Sequence, residues 1–230
     1  IEIPDITALL LLAMANEDVL SQAFYGSFWG TLFYRLKHFF ANRNTRKGSK
    51  KNIHAHYDLG NDFYRLWLDP TMTYSAALFT QSEMTLEAAQ IAKYERLLAR
   101  LDVRPGQHIL EIGCGWGGFA EYAATTRGVR VTAISLSQEQ LAWARERVKG
   151  KGIASLCEFR FQDYRDVRGR YDAVVSIEMI EAVGEAWWPS YFSKLHDVLK
   201  PGGRAALQSI VIADHRYADY STKTDFIQQY

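Results

Sequence analysis

Between Met84 and Ile212 short apolar runs alternate with longer amphipathic ones, and this rhythm limits the chain to few architectures. The strand-like runs are His108–Ile112, Arg130–Ser135, Glu158–Gln162, Tyr171–Ile177 and Ala205–Ile212. The helix-like runs are Thr85–Leu101, Gly118–Thr126, Gln138–Lys149 and Trp187–Leu199. In the first of these, Leu86, Ala89, Ala92 or Lys93, Arg96, Leu97 and Leu101 recur with helical period. Pro105-Gly106 closes that segment, and Lys200-Pro-Gly-Gly203 reads as a turn feeding the fifth strand. Strands separated by helices require crossover connections. Those are right-handed and set helices on both faces of a mostly parallel sheet, so the expected class is α/β.

Composition supports a sizeable core, with 48% hydrophobic and 13% aromatic residues, and a net charge of +1 selects no partner. Cys114 and Cys157 form no CxxC pair and no metal-ligand spacing, which predicts free thiols, a reducing cytoplasmic setting and no metal. The apolar run Ala8–Ala15 is too short to span a bilayer, and no charged segment precedes it as in a signal peptide. The chain begins without Met and stops within a helix-like stretch after Thr224, so it is expected to be a piece of a longer protein. From Ser21 to Tyr57 there is no acidic residue, while Arg35, Lys37, Arg43, Arg46, Lys47, Lys50 and Lys51 all occur. Phe24, Phe28 or Trp29, Phe33, Leu36 and Phe40 precede or overlap this tract at helical spacing. Two readings stay open: adsorption of an aromatic face and basic tail to an anionic membrane, or a packed amphipathic helix followed by a solvated loop. No nucleic-acid motif accompanies the charges, and no nucleic-acid partner is expected.

The first strand runs into Glu111-Ile-Gly-Cys-Gly-Trp-Gly-Gly118, whose glycines at 113, 115 and 118 satisfy G-x-G-x-x-G. A dinucleotide site would need a carboxylate at the end of the second strand, to hold the ribose. That strand ends Ala133-Ile-Ser-Leu-Ser137, without one. An acid before the glycines, Glu111, is instead typical of loops that bind S-adenosylmethionine. Asp163 ends the third strand, where an adenine edge is read in that class, and the Leu199-Lys-Pro-Gly-Gly203 turn fits the same layout. The expected fold is therefore a class I, Rossmann-like methyltransferase. Its sheet has seven strands, of which five are legible here, and the other two are expected past Tyr230.

Three motifs carry a more specific likeness: His56-Tyr-Asp-Leu-Gly-Asn-Asp-Phe-Tyr64, Leu68-Asp-Pro-Thr-Met-Thr-Tyr-Ser75 and Leu110-Glu-Ile-Gly-Cys-Gly-Trp-Gly117. From about Asn52 onward the chain resembles the cyclopropane-fatty-acyl-phospholipid synthases and mycolic acid cyclopropane synthases. The resemblance implies a methyltransferase domain over 52–230, with substrate-cap helices in 52–83 and the Rossmann-like core in 84–230, after an N-terminal helical and basic segment, 1–51. It implies S-adenosylmethionine contacts at Tyr74, Ser75, Leu110 to Gly118 (Glu111, Gly113, Cys114, Gly115 and Gly117 among them), Ser135, Gln140, Asp163 and Tyr164. It also implies methyl transfer to the cis double bond of an unsaturated phospholipid acyl chain, at the inner face of the membrane, with proton removal closing a cyclopropane ring. A homodimer is an assembly to expect.

The family holds a bicarbonate ion for that last step, and here the chain departs from the pattern. Glu181 occupies the glutamate position of the family's E-H-x-G motif, but Ala182 stands in place of histidine. Ala76 replaces the cysteine after Thr73-Tyr-Ser75, which leaves only a main-chain contact. On the fifth strand Gln208 replaces histidine, Ile210 is in its expected place, and a further tyrosine is expected past Tyr230. Glutamine can hydrogen-bond an anion but cannot titrate near neutrality. Methyl transfer is thus better supported than ring closure, and a methylene- or methyl-branched product is the alternative. A small-molecule methyltransferase and a non-enzymatic lipid-surface module are the more distant ones. Of the two acids in Ser176-Ile-Glu-Met-Ile-Glu181, the resemblance gives a role to Glu181, whereas Glu178 reads as a loop cap. His54 and His56 read as structural hydrogen-bonding residues and Cys114 as a packing residue.

Overall fold

The computed structural model describes residues 5–16 and 60–217, which fall into two separate units. The aromatic and basic tract of 21–57, His54 and His56, and the stretch after Tyr217 lie outside the described residues. In the first unit, helix α1 (Ile6–Ala15) is capped by Asp5, whose Oδ1 accepts the Ala8 N–H at 3.0 Å. Its apolar residues Ile6, Leu10, Leu11, Leu12 and Met14 are exposed. No helix among the described residues is long and apolar enough to cross a membrane.

The second unit is built on a five-stranded, all-parallel sheet in the order β3-β2-β1-β4-β5. The strands are β1 (His108–Ile112), β2 (Arg130–Ser135), β3 (Cys157–Phe161), β4 (Tyr171–Ile177) and β5 (Leu199–Gln208). The helices are α2 (Gly60–Arg65), α3 (Leu86–Leu101), α4 (Gly118–Arg127), α5 (Gln138–Gly150), α6 (Ile180–Val183) and α7 (Trp188–Val198). Alternate strand residues serve opposite faces. Ile109, Val131, Ala133, Ala173 and Val175 pack with Tyr94, Leu97 and Leu98 of α3, Phe119 and Ala123 of α4, and Leu141 and Ala144 of α5. Leu110, Ile112, Ile134 and Val174 pack with Tyr191, Leu195 and Val198 of α7 on the other face. Each fully buried leucine or isoleucine of this kind contributes about 1.5–3 kcal/mol.

The chain winds outward from β1 through β2 to β3, then returns across the sheet to β4 and β5. Ligands of open α/β sheets bind beyond the strand carboxyl ends where the winding reverses, and here that crevice lies between β1 and β4. Ile112 pairs with Ser176, so the glycine loop and the segment from Glu178 leave neighbouring strands side by side.

The fifth strand differs from expectation. It begins at Leu199 and ends at Gln208, rather than running from Ala205 to Ile212. Tyr171 pairs with Leu199 and Ala173 with Arg204, so Lys200-Pro-Gly-Gly203 is a bulge inside the ladder and not a turn before it. Bulges are where proline and glycine are tolerated in a strand. In α3 the buried face is also rotated: Lys93, Gln90 and Tyr94 point inward, while Leu86 and Arg96 are exposed.

At Gly118, the first residue of α4, a Cβ would lie 2.7 Å from the Tyr94 hydroxyl and 2.8 Å from the Thr71 carbonyl oxygen. Both are fixed, so Gly118→Ala is expected to destabilise the unit by about 1–3 kcal/mol through overpacking. Urea denaturation measures this; an unchanged midpoint would mean that the helix start is not clamped there.

Candidate active site

Three segments far apart in sequence meet at the crevice. The first is residues 69–78, a strap tied to α3. Asp69 starts it: its Oδ2 accepts the Thr71 N–H at 3.0 Å and its Oδ1 the Thr73 N–H at 3.4 Å. The Thr73 hydroxyl bonds to the buried Tyr94 hydroxyl. Gln90 Nε2 donates to the Ser75 carbonyl at 2.8 Å, and Lys93 Nζ donates to Ser75 Oγ at 2.6 Å and to the Ala76 carbonyl at 3.1 Å. Lys93 is only 3% exposed. Burial draws its ammonium down to about 8, against the opposing pull of Glu178 and Asp69. Tyr74 is exposed, its ring 5.3 Å from Trp67 and 5.6 Å from Tyr64.

The second segment is the glycine loop between β1 and α4. The Gly113 and Cys114 N–H groups both donate to the Ile134 carbonyl at 3.0 Å, which ties the loop to β2. A Cβ at Gly113 would lie 2.4 Å from Met179 Cγ, and one at Gly117 2.7 Å from Ala144 Cβ, so these two glycines and Gly118 serve close packing. Gly115 is different: a Cβ there would meet nothing within 4 Å, and its φ is +50°. The loop therefore turns open backbone toward the crevice at that residue. Trp116 is buried against Tyr64, ring centres 4.9 Å apart, and its Nε1 donates to Asn61 Oδ1 at 2.6 Å. Helix α2 is thereby fastened onto the loop.

Around this loop several buried polar atoms lack partners among the described residues: Glu111 Oε2, Gln140 Nε2 and the Tyr164 hydroxyl. Ser135 Oγ donates to Gln140 Oε1 at 3.0 Å, leaving the Gln140 amide donor unmatched at the carboxyl end of β2. Asp163 follows β3; its carboxylate accepts the Arg165 N–H at 2.9 Å and pairs with the Arg165 guanidinium, Nη2 to Oδ2 at 2.6 Å. Tyr164 lies beneath, 5.2 Å from the Tyr191 ring. Buried orphan polar groups are uncommon and call for a ligand or water. An exposed glycine backbone, an amide donor beside a serine, and an acid at the next strand end fit the amino-acid, ribose and adenine parts of S-adenosylmethionine. Burial holds the Cys114 thiol well above its ordinary range, which suits a packing residue and not a nucleophile.

The third segment follows β4. Glu178 sits in left-handed backbone, φ +50°, and its Oε1 accepts the Ala76 N–H at 2.8 Å and Gln208 Nε2 at 2.9 Å. The same Gln208 Nε2 donates to the Ala76 carbonyl at 3.1 Å. Glu181, on α6, accepts the Ile210 N–H at 2.5 Å. Of the residues singled out in sequence for the chemical step, Ala76 and Gln208 are thus brought together, as are Glu181 and Ile210, which is itself exposed. The residue joining the first pair, Glu178, read in sequence as a loop cap. Lys93 and Gln90 also escaped notice; the available signal was a charged and an amide side chain at core positions of a helix.

The buried Glu111 carboxyl is pushed up to about 8 from an ordinary 4.5 by burial. Between those values the folded chain keeps a proton that the unfolded chain has lost, so stability falls as pH rises, by at most about 1.4 kcal/mol per pH unit. Lys93 acts in the opposite sense, its lowered value making stability rise from about pH 8 to 10.5. Glu111→Gln is expected to flatten the fall between pH 4.5 and 8 in denaturation measured across a pH series. A variant with the parent's slope would place that dependence on another group.

Comparison with known proteins fits this geometry. The mycolic acid cyclopropane synthetase family profile matches residues 44–230. The chain is 44% identical over 194 residues to the tuberculostearic acid methyltransferase UfaA1 of Mycobacterium tuberculosis, covering 81% of this chain and 45% of that protein. It is 41% identical over 155 residues to the cyclopropane-fatty-acyl-phospholipid synthase of Escherichia coli K12, covering 67% of this chain and 39% of that protein. The chain therefore spans less than half the length of these two relatives. The cyclopropane synthase MmaA2 from Mycobacterium tuberculosis superposes with a TM-score of 0.70 at 32% identity, over 78% of this chain and 64% of that one. Mycolic acid cyclopropane synthase CmaA1, solved with SAH and CTAB, gives 0.63 at 36% identity, over 66% and 53%. The fold is that of the class I S-adenosylmethionine-dependent methyltransferases. The chain belongs to the mycolic acid cyclopropane synthetase family.

Proposed function

We propose that the full-length protein is an S-adenosylmethionine-dependent methyltransferase that modifies the cis double bond of an unsaturated phospholipid acyl chain, with a cyclopropane ring as product. The observation that carries this reading is the meeting of an open glycine backbone, the Tyr74-Ser75-Ala76 strap and two carboxylates at one crevice. Gly115, Ser135, Gln140 and Asp163 would hold the methyl donor, with Tyr74 and Ser75 on its other side. When bound, S-adenosylmethionine supplies an electrophilic methyl group, which a poor nucleophile such as an alkene needs. The protein's own part is to fix the two reactants in line, exclude water, ease the positive charge that develops on the acyl chain and remove a proton. The exposed aromatic rings of Tyr74, Trp67 and Phe63 offer faces to an acyl chain, and aromatic faces also stabilise cations. Peripheral attachment to the membrane, in the cytoplasm, belongs to the same proposal.

A second reading keeps the methyl transfer and changes which proton leaves, giving a methylene- or methyl-branched chain. It is favoured by Ala76, Ala182 and Gln208, which depart from the cyclopropane synthase pattern, and by the similarity to proteins named fatty acid methyltransferases. Lipids from a host expressing the full-length gene decide between them. Both readings add the mass of one CH2, but their NMR spectra differ: cyclopropane protons mark the first and vinylidene or branch-methyl protons the second. No added mass would sink both and leave a small-molecule substrate, active without vesicles.

In the full-length enzyme Glu181→Gln is expected to cut product formation on the order of 10²-fold while calorimetry shows unchanged S-adenosylmethionine affinity. Glutamine still accepts the Ile210 N–H, so a wild-type rate would remove the Glu181 charge from the mechanism.

A further inference from the structure

The residues that family resemblance assigns to an external bicarbonate have no donor left for one. The Ala76 N–H has a single hydrogen, and it goes to Glu178 Oε1. The Gln208 amide has two, one given to Glu178 Oε1 and one to the Ala76 carbonyl. The Ile210 N–H is held by Glu181 Oε1. A free anion in this place would face two carboxylates without a hydrogen bond to offset the repulsion, and an uncompensated charge in a confined site is costly. Bicarbonate does not fit.

What fills the site is a carboxylate of the chain itself. Glu178 emerges from β4 at the switch point, one residue before Met179, which lies over Gly113 of the glycine loop. Its backbone is left-handed at φ +50°, a conformation that costs a non-glycine residue about 1–2 kcal/mol and that clusters at functional sites. Two hydrogen bonds fix Oε1, one to the strap and one to β5, while Oε2 makes none among the described residues. Glu181 is more exposed and has one such bond, to the segment after β5. We propose that Glu178 is the general base of the reaction and that its side chain takes the place of an external bicarbonate ion.

This rests on the methyl-transfer reading above. The alkene π pair forms the bond to the methyl carbon as the sulfur–carbon bond breaks, its electrons leaving on the thioether. Glu178 Oε2 then takes a proton from the transferred carbon, and the C–H electron pair closes the ring onto the cationic carbon. If the proton comes from a neighbouring chain carbon, the same pair forms a double bond instead. Charge balances in both cases, since a sulfonium and a carboxylate become a thioether and a carboxylic acid. Gln208 and the Ala76 N–H position the base; neither titrates in this range.

The test uses the full-length enzyme with vesicles of unsaturated phospholipid, in buffer stripped of carbon dioxide and in the same buffer with bicarbonate added. Wild type is expected to work equally in both. Glu178→Gly, which suits the left-handed backbone, should lose on the order of 10²-fold or more without bicarbonate and recover roughly tenfold or more with it, because the Ala76 and Gln208 donors are vacated. Glu178→Gln should be as slow and stay unrescued, since its amide oxygen still fills the site; a merely structural role would leave this variant active. A wild type that needs bicarbonate, or a glycine variant that needs neither, would overturn the proposal. Binding of ¹³C-bicarbonate read by NMR decides without turnover: none to wild type and measurable binding to Glu178→Gly supports it, and binding to wild type overturns it. If wild type modifies no unsaturated lipid, the methyl-transfer reading fails on that result, while the NMR measurement still says whether Glu178 occupies the anion site.

Discussion

The pairing of β1 with β4 is the constraint on which the site depends. Parallel neighbours lie about 4.8 Å apart, and the Ile112–Ser176 register brings the last residues of both strands level. Ser176 Oγ donates to the Ile112 carbonyl at 3.3 Å and accepts from the Tyr191 hydroxyl at 2.7 Å, so the two strand ends and α7 are locked together by a buried polar link. Everything that leaves these ends inherits that spacing. The glycine loop and Glu178 become neighbours with Met179 wedged between them, although 65 residues of sequence intervene between Gly113 and Glu178. A slip of the register would move a whole strand's side chains to the other face, which the two packed cores forbid.

The strap supplies the third side, and polar groups rather than apolar burial hold it. Gln90, Lys93 and Tyr94 turn the core face of α3 into a row of donors and acceptors for residues 73–76. Buried polar networks are strongly directional, because each unpaired member carries a desolvation cost. A hydrophobic contact would let the strap slide; hydrogen bonds to the Ser75 and Ala76 carbonyls set its position along the chain. They also aim the Ala76 N–H outward to Glu178. The pre-organisation that a two-reactant transfer requires is therefore present in the protein's own bonding.

The sheet was legible because parallel strands buried on both faces give apolar runs, and four of the five strands stand within one residue of where those runs lie. The fifth misled because Pro201-Gly202-Gly203 carries a breaker's signature, and local sequence does not reveal that a partner strand tolerates a bulge there. The glycine loop was legible as a ligand loop, but sequence could not separate Gly115, which faces open space, from Gly113, Gly117 and Gly118, which pack. Glu178 was hidden for a different reason. Its partners are 102 and 30 residues away, and it has no counterpart in the pattern the chain resembles. A carboxylate that ends a buried strand raised the question of its partners, and only the fold brings those partners to it.

Seen from Glu178, the departures from the family pattern become a single change. A mobile anion needs donors that can adapt to it, and a histidine can add a positive charge when the anion is present. A carboxylate built into the chain is always there, and its charge is fixed by the fold. Gln208 then serves better than histidine, because both of its amide hydrogens have permanent acceptors and no proton enters or leaves. The residue at 76 needs only its N–H, so a side chain there is dispensable and alanine suffices. With the base tethered to β4, the proton it can reach is set by the backbone at Glu178 and the strap that grips it. On this account the product is decided by where the chain places one oxygen atom, and the methyl-donor half of the site can stay as it is in the rest of the family.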